Sequence, residues 1–143
     1  MMQLKDVLKN KKGEPVTVLE TSTVAFAIRT MHAKWVGSVM VQGADGGPVG
    51  ILTERDILRL YAEGAGDFES IAVKDWMTTD MHIGKPSDTV SEVLSVMTAK
   101  RFRHMPVMED GKMVGVVSIG DLVKTKLEEA SVEAQNLREY IHS

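Results

Sequence analysis

The sequence predicts a mixed α/β (α+β) protein built from two copies of one small unit. Three observations predict it. Residues 50–56 read Gly-Ile-Leu-Thr-Glu-Arg-Asp and residues 115–121 read Gly-Val-Val-Ser-Ile-Gly-Asp. The pattern Gly, two apolar residues, a hydroxyl, two variable residues and Asp therefore occurs twice. Upstream, Thr23-Val24 falls on Thr89-Val90, Met31 on Met97 and Ala33-Lys34 on Ala99-Lys100, all at an offset of 66. Both copies also show the same succession of periodicities. An internal repeat governs the fold and has to be recognised first.

Each unit reads strand–helix–strand–strand–helix. A short extended segment opens it, at 16–18 and at 82–84. Val24, Ala27, Ile28 and Met31 then recur at helical spacing, with Thr23 or Ser22 as N-cap. Residues 36–42 form a short apolar strand, Asp45-Gly46-Gly47-Pro48 a turn, 49–52 a second strand, and Thr53 opens a helix to about Ala62. The second copy gives helix 90–100, strand 102–108, a turn at Asp110-Gly111, strand 113–117 and a helix from Ser118. A leader repeats as well: Leu4-Lys5-Asp6-Val7-Leu8 resembles Val73-Lys74-Asp75-Trp76-Met77. These patterns divide the chain into a first repeat with leader and linker over 1–68, a second repeat over 69–127, and a helical tail over 128–143.

Composition narrows the classes of function. A chain of 143 residues suffices for one compact core, and each half alone would be marginal. Hydrophobic content of 43% and charged content of 26% are ordinary for a globular protein. The net charge of −3 argues against nucleic acid, which favours a basic face. No apolar run approaches the roughly 20 residues of a membrane span. The first residues, Met-Met-Gln-Leu-Lys-Asp, carry charge where a signal peptide needs an apolar stretch. Cysteine is absent. The expectation is a cytoplasmic chain without membrane or nucleic-acid partners.

Both motifs have the form of a capping box, Thr53-x-x-Asp56 and Ser118-x-x-Asp121. That structural role explains either one singly. The same geometry also suits a ligand. A helix N-terminus offers free N–H groups and partial positive charge to an anion. An Asp in the first turn accepts hydrogen bonds from a vicinal diol such as a ribose. Gly50 and Gly115 would let a ligand approach the backbone. Enzymatic signatures are missing: the four histidines lack metal-ligand spacing, and neither a phosphate loop nor a nucleophile elbow is present.

With Arg103-His104-Met105-Pro106-Val107 beside the two motifs, the chain resembles a tandem pair of CBS domains, the Bateman module. The resemblance covers nearly everything but the tail. It implies two β-α-β-β-α repeats packed as a pseudo-two-fold pair. It also implies a non-catalytic regulatory module that binds an adenosine derivative in the cleft between repeats. AMP is the first expectation, with ADP, ATP or NAD as others. Position by position, Asp56 and Asp121 would hold ribose, with Thr53 and Ser118 beside them. Thr17, Val18, Ile83 and Gly84 would face adenine, and Met105 and Pro106 belong to the signature strand. The repeats differ where Arg103-His104 stands opposite Gly37-Ser38. Repeat two therefore offers a cation and an imidazole to phosphate, and repeat one offers only Ser38. Arg55 has no cationic counterpart and would reach toward the same phosphate. An effector would be a separate chain. The alternative is a nucleotide-free dimerisation or scaffold module.

In the tail, Val123, Leu127, Ala130, Ala134, Leu137 and Ile141 are spaced 4, 3, 4, 3, 4, an a/d seam flanked by charges. It either packs back on its own domain or mediates self-association, and the resemblance favours a homodimer.

Overall fold

A computed structural model describes residues 1–11 and 14–142. The chain forms two compact units, Glu14–His82 and a second made of Met1–Gly13 with Ile83–Ser143.

In the contiguous unit, β1 (Thr17–Leu19) lies parallel to β2 (Ser38–Gln42), and β3 (Pro48–Thr53) pairs antiparallel with β2. Helix α2 (Val24–Lys34) makes the crossover that parallel neighbours require. It starts where expected: the Thr23 hydroxyl accepts from the Phe26 N–H at 3.0 Å. Helix α3 (Glu54–Ala62) follows β3 directly. Val18, Val24, Val39, Val41, Leu52 and Leu60 form the core between sheet and helices.

The second unit repeats the order. Gly84 makes a single parallel bridge to Val107, so the predicted extended segment is one bridge long. Helix α4 (Val90–Lys100) is capped by Thr89, and β4 (His104–Glu109) and β5 (Lys112–Ser118) form a hairpin. Helix α5 (Ile119–His142) runs 24 residues without a break. The likeness reaches the backbone: α2 and α4 both end on a left-handed residue, Trp35 and Arg101.

The leaders depart from chain order. Chain order groups helix α1 (Leu4–Asn10) with the first repeat, yet its buried Leu4 and Val7 join the core of Val90, Val93, Met97, Val107, Val117 and Leu122. Gln3 bridges Thr89, and the Leu4 N–H donates to the Asp88 carbonyl at 2.9 Å. The second leader, a 3-10 turn at Val73–Asp75, buries Val73 in the core of the contiguous unit. There Ala72 bridges Thr23, and the Val73 N–H donates to the Ser22 carbonyl at 2.8 Å. Each leader thus serves the other repeat. Both satisfy the backbone at the first helix of the unit they join.

The tail is helical as far as His142. Its body-facing side is set by buried Leu122 and Thr125, whereas Val123, Leu127, Leu137 and Ile141 are exposed. The seam does not fold back on its own unit.

Candidate functional site

Both motifs sit at a strand-to-helix junction, and both form the reciprocal cap. In the first, the Thr53 N–H donates to Asp56 Oδ2 at 3.0 Å and the Asp56 N–H donates to Thr53 Oγ1 at 3.2 Å. In the second, the Ser118 N–H donates to Asp121 Oδ2 at 2.9 Å and the Asp121 N–H donates to Ser118 Oγ at 3.1 Å. Glu would be the common residue at the third helical position. The shorter Asp still closes the box, because the extended cap residue brings its own N–H close to the carboxylate.

The two carboxylates differ in what else holds them. The Asp56 residue is only 6% exposed. The Thr78 hydroxyl lies 3.1 Å from its Oδ1 and 3.3 Å from its Oδ2. The Thr53 hydroxyl donates to Oδ2 at 3.1 Å, and Arg59 lies 3.8 Å from Oδ1. Arg59 is itself held over the Trp76 ring, 4.9 Å from its centroid. Asp56 is therefore a buried structural acid whose Oδ2 already holds two donors from Thr53. Asp121 has a more open side chain, 28% exposed, and its outside partner is an ammonium: Lys11 Nζ donates to Oδ2 at 2.8 Å. The same Nζ donates to the Val116 carbonyl at 2.8 Å. Burial pushes the Asp121 carboxyl up. The Lys11 and Ser118 hydrogen bonds with the Lys11 charge outweigh it and hold the pKa below the usual carboxylate value.

The motif glycines have a different use from the one expected. A Cβ on Gly50 would stand 2.6 Å from Met77 Sδ and 2.9 Å from the Thr78 carbonyl oxygen. A Cβ on Gly115 would stand 2.5 Å from Leu8 Cδ2. Their close approach is to the crossing leaders, so the expectation that they admit a ligand is corrected. A missing side chain signals crowding without naming what crowds.

The other candidates divide between the units. Ser38 pairs with Thr53 across β2 and β3, beside the first motif. Thr17 pairs with Met40 and is half-buried, Val18 is core, and Arg55 is exposed on the first turn of α3. In the other unit His104 pairs with Ser118, which places it beside the second motif. Arg103 is exposed, and its carbonyl accepts from the Ile119 N–H at 2.8 Å. Met105 and Pro106 are buried, Met105 in the core, and Ile83 is exposed. Sequence reasoning missed Lys11, Thr78 and Arg59. Thr78 directly follows one leader and Lys11 lies shortly after the other, and only the exchange of leaders brings them to the motif acids. Among the described residues no group of three or more His, Asp or Glu side chains could hold a metal, and no helix is long and apolar enough to cross a membrane.

Two β-α-β-β-α units, each with an Asp-capped strand-to-helix motif, define a tandem CBS-domain protein. The chain belongs to that family: the CBS domain model matches residues 4–63 and again residues 73–128. Among its relatives is CBS domain-containing protein CBSX3, mitochondrial, of Arabidopsis thaliana. That protein is 34% identical over 146 residues, which cover 96% of this chain and 71% of that one. Other relatives are longer, and the chain spans 38% of one from Methanocaldococcus jannaschii. Among solved structures, a CBS-domain-containing protein of Agrobacterium tumefaciens matches at 36% identity with a TM-score of 0.81, over 87% of this chain and 92% of that one. A Pyrobaculum aerophilum CBS domain protein, solved in complex with AMP, matches at 26% identity and a TM-score of 0.75, over 84% and 89%.

Proposed function

We propose that the chain is a regulatory module that binds an adenine nucleotide, AMP first, at its second motif and signals to a separate effector. One observation carries this reading. Asp121 stands at a helix N-terminus, half-open, ionised and held by a displaceable ammonium, which suits it to accept a ribose diol. The AMP complex of the Pyrobaculum relative supports the ligand class. Arg103 and His104 supply the phosphate side, with Ser118, Ile83, Met105 and Pro106 around them. The first-motif set of Thr17, Val18, Ser38, Thr53, Arg55 and Asp56 makes a weaker site, because Asp56 is buried and its Oδ2 already holds two fixed donors. NAD, ADP or ATP would present the same ribose. No step in this reading is catalytic.

Calorimetric titration tests the reading. Asp121→Ala is expected to weaken AMP binding by about 1.5–3 kcal/mol, roughly tenfold to over a hundredfold in Kd. Equal binding by wild type and variant overturns the ribose assignment. A wild type that takes no adenine compound leaves the nucleotide-free scaffold.

Self-association is a second part of the reading, favoured by the exposed a/d seam of α5. In a parallel pair Glu133 would face Arg138 of the second copy, an attractive g–e contact. Leu137→Glu is expected to lower the mass measured by light scattering at tens of micromolar. An unchanged dimer would place the interface elsewhere.

A further inference from the structure

The second motif carries a group that nothing in the duplicated pattern accounts for. Asp121 Oδ2 accepts from both the Ser118 N–H and Lys11 Nζ, at 2.9 and 2.8 Å. A carboxylate oxygen has two in-plane lone pairs, so Oδ2 is fully used. A vicinal diol needs an acceptor on each carboxylate oxygen, so one of these donors has to leave. The Ser118 N–H is fixed by the helix cap. Lys11 is the movable one, with its side chain 38% exposed on a long flexible stem. On leaving it keeps its second anchor, the Val116 carbonyl at 2.8 Å, and Leu8 seated over Gly115 keeps the leader in place. The ammonium therefore stays beside the bound ligand without its counterion.

We propose that Lys11 makes the second motif select anionic nucleotides over neutral nucleosides, by exchanging the Asp121 carboxylate for the ligand's phosphate. A phosphate re-pairs the released ammonium, and a nucleoside leaves it unpaired. The first motif differs: its hydrogen bonds to Asp56 come from the neutral Thr53 and Thr78 groups, and its cation, Arg59, stands 3.8 Å from Oδ1, beyond hydrogen-bond distance, so no hydrogen-bonded cation has to leave there. The proposal rests on the nucleotide-binding reading and adds a residue and a selectivity to it.

The test is calorimetric titration of the full chain, wild type, Lys11→Met and Lys11→Arg, each with AMP and with adenosine. Lys11→Met is expected to bind adenosine about twofold to fivefold more tightly, because a part-exposed ion pair no longer competes. It is expected to bind AMP no more tightly than wild type. The preference for AMP over adenosine then falls by at least about twofold to fivefold. Lys11→Arg is expected to keep most of the preference. Circular dichroism of each variant verifies the fold, which a substitution at a half-exposed side chain leaves intact. A Lys11→Met variant that changes both affinities by the same factor, or neither, removes Lys11 from the site and leaves the nucleotide reading standing. A wild type that binds neither ligand ends both.

Discussion

Leu4→Ala is expected to lower stability by about 2–5 kcal/mol, the cost of truncating a fully buried leucine. The loss should fall on a particular part of the chain. Leu4 packs with Val90, Met97, Val107 and Leu122, so amide exchange should accelerate in α4, β4 and β5. The amides of Thr17–Leu19, α2 and β2 should keep their protection, although these are nearer in the chain. Chemical denaturation gives the magnitude, and hydrogen exchange read by mass spectrometry gives the location. Faster exchange confined to the contiguous unit would refute the leader's placement.

Gly50→Ala should also be costly. The added methyl would meet the Thr78 carbonyl oxygen at 2.9 Å as well as Met77 Sδ at 2.6 Å. Thr78 is not free to move, since its backbone exchanges two hydrogen bonds with Ile51, both at 2.9 Å, and its hydroxyl reaches Asp56. Overpacking costs about 1–3 kcal/mol, and each hydrogen bond lost adds about 1 kcal/mol. Gly115→Ala makes the natural control. Its nearest obstacle is the end of the Leu8 side chain, which can turn aside, so the same methyl should cost less there. A Gly50→Ala protein as stable as wild type in denaturant would show that the second leader does not crowd the motif.

The elements themselves were legible in the sequence because local chemistry specifies them. Thr23 and Thr89 cap where an apolar helical period begins, Asp110-Gly111 turns the hairpin at two positive-φ residues, and no glycine or proline after Gly120 interrupts α5. The two motif acids were legible for the same reason, since a capping box is a local structure. The partners of those acids were not. The leaders Leu4–Leu8 and 73–77 carry similar apolar and charged residues, so neither sequence states which core it enters. Lys11 stands opposite Asp80 at the offset of 69 that aligns the leaders, so the repeat conceals it. Asp56 and Asp121 look equivalent in the chain. They diverge only through Thr78 and Lys11, which arrive from elsewhere.

The exchange of leaders also sets an order of events during synthesis. The ribosome releases about 5–20 residues per second, and domains fold as their parts emerge. Every strand and helix of Glu14–His82 is in hand once that stretch is out, so this unit can close while the rest is still being made. Helix α1, which precedes that unit in the chain, has nothing to pack on until Ile83–Leu122 follows. Seven residues are too few for a helix to persist alone in water. Its contact with the second motif spans 110 residues, from Lys11 to Asp121. Loop closure over a free chain of that length is slow and entropically costly. Prior collapse of the intervening unit replaces most of the loop with a compact insert, so a helix made before that unit finds its place after it.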